Sequence, residues 1–478
     1  MVDRRRLLRV AWDVWRTGRE TPSAIARRRQ ARLADLIEFA RTRSPYYAKL
    51  YSQLPLRTAD LQRLPPVRKP ELMAMFDDWV TDPEVTRSGV KTFVADKTRA
   101  GHLYLDRYAV WTSSGITGEP GIFVIDGGAL TVYWALTGVR DVLSWMTPGE
   151  LWAVRRRGGG RVAILVATGG HFVGVTYTEL YRRLRPRMAD RTHTFSVMMP
   201  LADLVRSLND FQPNIVMSYP TMIAVLAHEQ SAGRLQINPI SVTTGGEWLS
   251  TAIRNEITAG FNCPVRDAYA ASEFMGIALQ CRRGCLHLNS DWVILEAVDD
   301  RYRPVPPGQA SHTSLLTNLA NRLQPMIRYD LGDTITVSPD ACACGSPFPV
   351  IYVEGRREDI LAFQAAGGEV VRMVPRVIAE VVVPGCGAAS DTTGVRRFQL
   401  IQVGPEMLRV RLEIVPGADD RQVWETTARR LREYLAAQGL PTVEVERDPE
   451  APRSDPKSGK FRQVWADLDA AKRQVMVS

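Results

Sequence analysis

Short apolar runs between residues 108 and 271, each stopped by glycine, proline or small hydroxyl residues and then followed by a helical pattern, restrict this chain more than any other feature. Tyr108 to Trp111 runs into Thr112 to Pro120, and Arg161 to Ala167 into Thr168-Gly169-Gly170. Ile215 to Met217 runs into Tyr219-Pro220 and a helical stretch from Thr221 to Gln230. Ile240 to Thr243 leads to Gly245-Gly246, and Val265 to Tyr269 to Ala271-Ser272-Glu273. Strand, loop and helix in repetition predict an α/β core with mostly parallel sheets. In such folds ligands collect where loops leave the carboxyl ends of the strands.

The flanks read differently. Residues 1–100 form a mostly helical leader, with turn signals at Pro45, Pro55 and Pro65-Pro66. After residue 357 the pattern alternates: Phe398 to Val403 and Leu408 to Val415 look like half-buried antiparallel strands. Asp420 to Gln438 is an amphipathic helix ended by Gly439, and Thr442 to Glu446 a further strand. At 478 residues the chain exceeds one ordinary domain. The expected division is a large domain over 1–357 and a small α+β domain over 358–478.

With 45% hydrophobic and 24% charged residues, the composition is that of a soluble globular protein. No apolar run approaches the roughly 18 residues of a membrane span. The basic start, Met1 to Glu20, is cut by Arg9, Asp13 and Arg16, and is not expected to act as a signal peptide. A cytoplasmic enzyme with no membrane partner is expected. The net charge of +9 is spread out. Arg4-Arg5-Arg6 and Arg155-Arg156-Arg157 lack the interleaved aromatics of a nucleic-acid face, so no nucleic-acid partner is expected. A basic enzyme acting on anionic nucleotides fits the charge. Of 61 basic residues only seven are lysine, and none of these lies between Lys97 and Lys457. Chemistry that needs an ammonium group has few candidates.

Thr112-Ser113-Ser114-Gly115-Ile116-Thr117-Gly118-Glu119-Pro120 is the strongest local signal. Its glycines let several backbone N–H groups converge on one anion, and its hydroxyls add donors. Alone it is as well read as an ordinary turn; it is no Walker loop. The loop resembles, however, the Ser-Gly-Thr-Thr-Gly-Lys-Pro signature of the adenylate-forming superfamily, and five further stretches follow in that family's order. Thr244-Gly245-Gly246-Glu247 is similar to its adenine-contacting loop, and Tyr269-Ala270-Ala271-Ser272-Glu273 to its Tyr-Gly-x-Thr-Glu. Arg328-Tyr329-Asp330-Leu331-Gly332-Asp333 resembles its Tyr-x-x-Gly-Asp, Gly355-Arg356-Arg357-Glu358-Asp359 its Gly-Arg-x-x-Asp, and Ser458-Gly459-Lys460-Phe461 its terminal Gly-Lys. Ser44-Pro45-Tyr46-Tyr47, Leu64-Pro65 with Lys69, and Pro325-Met326-Ile327-Arg328-Tyr329 look like the phenylacetate–coenzyme A ligase branch.

The resemblance implies a large adenylation domain, a small mobile α+β domain, and activation of an aryl or other apolar carboxylic acid by ATP as an acyl adenylate. Transfer to coenzyme A would follow. It implies that Ser113, Ser114, Gly115, Thr117 and Gly118 cradle phosphates, and that Gly245, Gly246, Glu247, Tyr269, Ala270 and Ser272 contact the nucleotide. Asp333 would accept from the ribose hydroxyls with Arg356 beside it. Glu273 would hold Mg²⁺, a hard cation that takes carboxylate oxygen. Lys460 would stabilise charge passing from carboxylate to α-phosphate; Arg328 joins Lys460 and Glu273 as a catalytic candidate, and Glu358 occupies the hinge position. Tyr133, Trp134, Phe172 and Ala271 are the candidates for the acid pocket. A homodimer is the oligomer the resemblance implies.

Cys281, Cys285, His287, Cys342 and Cys344 gather four of the six cysteines in two short stretches, with a knuckle-like turn at Cys342-Ala343-Cys344-Gly345. Such bunching favours metal over small buried cysteines, and a cytoplasmic setting disfavours disulfides. Five candidates compete for the four places of a structural Zn²⁺ site; Cys281, His287, Cys342 and Cys344 are favoured, as a similar arrangement in the branch implies, with Cys285 a spectator. Two departures stand out. Glu119 replaces the family's loop lysine, and Ala270 its glycine. Competing readings keep adenylation but transfer the acyl group to an amine or to a carrier-protein thiol, or take the chain as a degenerate scaffold that lost catalysis through Glu119.

Overall fold

The computed structural model describes residues 3–55, 60–113, 120–143, 145–157, 159–356, 359–365, 368, 370–373, 375–383, 393–456 and 460–467. Its centre is a nine-stranded sheet. In spatial order the strands are Asp333–Val337, Val350–Arg356, Leu286–Leu288, Phe274–Gln280, Val265–Ala271, Ser241–Gly245, Ile215–Ser218, Val162–Val166 and Thr192–Ser196. The last five pair in parallel, because helices such as Val173–Leu184, Pro220–Ser231 and Thr251–Phe261 connect them. From Val265–Ala271 onward the pairing is antiparallel. There the connection shrinks to Ser272-Glu273, far too short for a crossover.

The first apolar run departs from the expected repeat. Ala109–Thr112 pairs antiparallel with Ile122–Ile125 as a separate ribbon instead of entering the large sheet. Residues 113–121 join the two, fewer than the dozen or so that a parallel crossover takes.

The leader is helical, with helices Arg4–Thr17, Pro22–Arg43, Pro45–Leu50, Lys69–Ala74, Phe76–Trp79 and Arg87–Ala95. Their starts are chemically marked. Thr21 accepts from the Ala24 N–H with Pro22 at the first helical position, and Ser44 accepts from the Tyr47 N–H. The leader has no core of its own: Leu36, Tyr47, Phe76 and Trp79 share one buried cluster with Trp111, Phe123, Phe274 and Leu316. Tyr47 Oη and Trp79 Nε1 both donate to the Pro325 carbonyl, at 3.0 and 2.6 Å.

The large sheet ends at Arg356, and strands from Leu361 onward build sheets around a second core that includes Phe363, Leu400, Val410 and Leu431. Four strands lie in the order Glu444–Arg447, Met407–Ile414, Val395–Gly404 and Val464–Ala466, with the helix Asp420–Ala437 packed on them. The last strand pairs in parallel with Val395–Gly404, and Phe461 just before it bonds to Glu247 of the large domain. Among the described residues no helix is long and apolar enough to cross a membrane.

Candidate active site

The carboxyl ends of the parallel strands open into a cleft of about 1810 Å³ between the two domains. Gly245 ends one strand and Gly246-Glu247 follow it, Tyr269 to Ala271 end the next, and Ser272-Glu273 form the tip of the hairpin after it. Asp333 and Arg356 face them from the antiparallel half of the sheet, where the two residues are register partners. All of these side chains or backbones line the cleft, as do Trp134, Phe172 and Lys460.

Two tyrosines hold the acids. Tyr269 Oη donates to Asp333 at 2.5 Å, and Tyr329 Oη donates to Glu273 at 2.9 Å. Arg356 Nε lies 3.5 Å from the other Asp333 oxygen. Burial raises the Glu273 carboxyl above its usual range, against the pull of the Tyr329 hydrogen bond. Asp267, two residues before Tyr269 on the same strand, is pushed up to about 6 by burial although Thr244 Oγ1 donates to it at 2.9 Å. A group of carboxylates out of water favours a cation among them.

Lys460 arrives from the small domain. Its carbonyl accepts from the Asp455 N–H at 2.8 Å, and Gln399 Nε2 fixes the Arg462 carbonyl at 2.9 Å. The Phe461 N–H donates to Glu247 Oε1 at 2.5 Å, while the other carboxylate oxygen takes Thr221 Oγ1 at 2.8 Å. One carboxylate of the large domain thus grips the backbone next to the lysine. Trp248 also packs against the small domain's core. Burial pushes Glu247 up to about 7. The half-buried Lys460 lies over the Tyr219 ring, with Nζ 5.9 Å from its centroid. Desolvation and Arg356 lower its ammonium, and Glu247, Asp333 and Glu273 act the other way. Gly246 makes the approach possible: its φ is +79°, and a Cβ there would stand 3.3 Å from the Tyr219 ring and 3.6 Å from Lys460 Cε.

Ser113 closes the neck of the glycine loop, accepting the Gly121 N–H on its Oγ at 2.8 Å while its own N–H donates to the Gly121 carbonyl. Ser114, Gly115, Thr117, Gly118 and Glu119 lie outside the described residues, as do Glu358 and Lys457. Next to the neck stands a cation that the motifs did not single out for the site. Lys69 and Arg68 line the same cleft, and Lys69 Cδ is 3.3 Å from where a Cβ on Gly121 would lie. The scarcity of lysine was the available signal for it. Tyr219 and Trp248 are not among the expected site residues, and Tyr329 is named only as part of a motif with no role of its own; the place of each depends on tertiary packing.

Two expected residues do not reach the cleft. Arg328 is buried with a left-handed φ of +52°, and its guanidinium is spent on Glu296 at 3.1 Å, the Leu64 carbonyl at 2.5 Å and the Tyr302 carbonyl at 3.3 Å. It fastens the leader to the large domain. Tyr133 is fully buried beneath the site, edge-on to Phe274, with its Oη accepting from Asn318 at 2.8 Å.

The cysteine stretches converge. The ligand atoms of Cys281, His287, Cys342 and Cys344 all lie within 4.8 Å of one another. Cys281 and Cys342 sulfurs are 3.9 Å apart, and Cys344 Sγ is 3.3 Å from His287 Nε2. Tetrahedral zinc with Zn–S bonds of about 2.3 Å separates its ligands by roughly 3.7 Å, so the set is of the right size. His287 Nδ1 is bonded to the Phe348 carbonyl at 2.9 Å, which turns Nε2 toward the cluster. The backbone N–H of Cys344 helps hold the Cys342 thiol down at about 6.

No protein-family model matches the chain. A phenylacetate-coenzyme A ligase of Thermus thermophilus is 26% identical over 288 residues, spanning 54% of this chain and 62% of that one. Protein CapK of Staphylococcus aureus is 26% identical over 174 residues, 34% of this chain and 36% of that one. The chain thus matches less than two thirds of the length of either curated relative. A solved 2-hydroxyisobutyryl-CoA ligase, in its postadenylation state with 2-HIB-AMP, shares the fold over 94% of this chain and 92% of that chain, with a TM-score of 0.66 and 19% identity.

Proposed function

Proceeding from a chain that is homologous to a phenylacetate–coenzyme A ligase and has the fold of acid–CoA ligases in the adenylate-forming superfamily, we propose that it activates a carboxylic acid with ATP and passes the acyl group to coenzyme A. One observation carries this reading. The small domain delivers Lys460 to the carboxyl ends of the parallel strands, beside Glu247, Glu273, Asp333 and Arg356. In the first half-reaction a carboxylate oxygen attacks the α-phosphorus, the bond to pyrophosphate breaks, and an acyl adenylate remains. In the second, the thiolate of coenzyme A attacks the acyl carbon and AMP leaves.

Asp333, already oriented by Tyr269, would accept from the ribose hydroxyls, with Arg356 beside it. Gly245 and Gly246 would lie along the base. Lys460 would neutralise charge between carboxylate and α-phosphate, and an arriving anion restores the ammonium that burial disfavours. Lys69 from the leader would supply the cation that Glu119 withholds from the glycine loop. Glu273 fits Mg²⁺, since a buried carboxylate on a cleft wall gains most from a hard cation; the ion would neutralise phosphate oxygens. Cys281, His287, Cys342 and Cys344 fit a structural Zn²⁺ that pins the hairpin after Glu273 to the approach of the small domain. Reduced thiols there suit a cytoplasmic setting.

Acid-dependent exchange of pyrophosphate into ATP, over aryl and aliphatic acids, tests the reading. Exchange with at least one acid, followed by thioester formation when coenzyme A is added, is expected. Exchange without thioester, but with product on an amine or a carrier thiol, would replace the acceptor. ATP binding with no exchange for any acid would replace the whole reading by the scaffold.

A further inference from the structure

Below the polar turns the cleft continues along one face of the parallel sheet. Val162, Ile164 and Val166 face it from one strand, and Ile215 and Met217 from the neighbouring one. Their alternates Ala163, Leu165 and Val216 point to the opposite face and are fully buried. The five cleft-facing residues instead keep part of their surface exposed. Central parallel strands ordinarily have both faces covered, and interiors leave few voids larger than a water molecule. Apolar side chains left half open on the inner face of such strands border a space that water fills poorly.

The opposite wall is also apolar or aromatic. Trp134 belongs to the helix Gly127–Leu136, Val142 to the π-helical segment Thr137–Leu143, and Tyr177 and Tyr181 to the helix Val173–Leu184. A small separate cluster of Trp145, Met146 and Ile240 closes the far end, with Val142, Val154 and Ile215 packed on it. Asp141 and Arg266 pair at 2.7 Å on this stretch, and the flanking strands add the hydroxyls of Thr192, Ser241 and Thr243 at its margins. Four residue steps from Val162 to Val166, at about 3.3 Å each, give a wall roughly 13 Å long. Gly138 sits in this lining, and a Cβ on it would meet nothing within 4 Å.

We propose that this channel holds the tail of the substrate, which is therefore an elongate apolar carboxylic acid of the medium- or long-chain fatty type and not a compact aryl acid. The proposal rests on the adenylation reading only for the carboxylate end. That end must stay beside Lys460 at the mouth, and the apolar strand face below gives the rest of the molecule a path. An alkyl tail matches the apolar strand face because each methylene laid on it leaves water and carries no polar group of its own.

The test pairs a chemical and a binding measurement on the full chain. Pyrophosphate exchange is followed with phenylacetate, hexanoate, decanoate and tetradecanoate. The same acids displace a fluorescent fatty acid from the protein without nucleotide. Both the KM and the displacement constant should fall about fourfold per added methylene until the channel is full. Gly138→Phe and, independently, Ile164→Phe should each lower the ratio of tetradecanoate to hexanoate activity at least tenfold. Exchange with phenylacetate or hexanoate alone, with displacement indifferent to chain length, would overturn the channel and leave adenylation standing. Chain-length-dependent displacement that the two variants abolish, with no exchange for any acid, would keep the channel and remove adenylation. Neither exchange nor chain-length dependence would overturn both.

Discussion

Among the described residues, the two lysines that line the cleft reach it by opposite routes. Lys69 belongs to the leader, which is built into the large domain. The Val67 N–H donates to the Arg328 carbonyl at 3.0 Å, and the Asp330 N–H donates back to the Val67 carbonyl at 2.9 Å. Its approach to the cleft is fixed by the same core that fixes the sheet. Lys460 stands on the other domain, and its approach rests on the Phe461–Glu247 hydrogen bond, Trp248 and a cation over Tyr219. A cation that must always meet phosphate can be built in. On the proposed reading, one that acts during adenylation and then makes room for an acceptor has to be removable, and contacts between two domains are easier to undo than a shared core.

Lys460→Ala should break the comparison most severely. Losing the delivered cation should slow pyrophosphate exchange by about a hundred- to a thousandfold, with little change in the binding of ATP. A mutant that exchanges within about threefold of the parent would show that the removable lysine has no part in adenylation. Lys69→Met should act differently and less. Its loss should raise the KM for ATP about tenfold, the cost of one charge-assisted hydrogen bond, and lower kcat less. If kcat falls and KM does not, Lys69 serves the transition state, and the division between a standing and a delivered cation is wrong.

Glu247 sharpens the contrast through pH. Burial lifts it from 4.5 to about 7, so the arrangement that grips Phe461 holds a proton which an opened, solvated Glu247 would release. Closure is therefore least penalised below about pH 4.5. The penalty grows as pH rises, and levels off above about 7. Between pH 6 and 7.5 the closed fraction should fall several-fold, readable as fluorescence transfer between dyes on the two domains. Glu247→Gln, which cannot ionise, should flatten that profile. An unchanged profile would assign the pH dependence to another group.

Much of this is legible in the sequence. Each of Lys460, Asp333, Glu273 and Arg356 sits in a motif legible in the sequence, but only Glu273 follows a parallel strand; Asp333 and Arg356 meet it from the antiparallel half of the sheet, and Lys460 from the other domain. Arg328 shows the limit. It sits inside a motif, yet its direction is decided by a left-handed φ and three partners from distant segments, none visible in a local pattern. Tyr133 fails for a similar reason, since helical spacing alone does not tell a pocket wall from the core behind it. The first apolar run looked like its successors, and only the length of residues 113–121 set its pairing apart. The grip of Glu247 on Phe461 joins residues 214 apart in sequence. Nothing local announces such a contact.

The smallest effect on the chemistry belongs to the cysteine cluster, which lies on the fixed side. Cys281 and His287 flank the turn between Phe274–Gln280 and Leu286–Leu288, while Cys342 and Cys344 precede the strand Val350–Arg356 that pairs with the second of these. A metal there would tie Glu273's hairpin to Arg356's strand from outside the cleft. Metal analysis of the reduced protein should find one zinc per chain, and Cys342→Ser should remove it. Loss of a structural metal ranks among the few single changes worth more than about 4 kcal/mol, so Tm should drop by roughly 5 °C or more. At temperatures well below that transition, exchange should change by no more than about twofold, because both lysines keep their supports. A drop as large as that of Lys460→Ala, in protein still folded by circular dichroism, would mean that the hairpin needs the metal to aim Glu273, and the fixed side would be less fixed than its core implies.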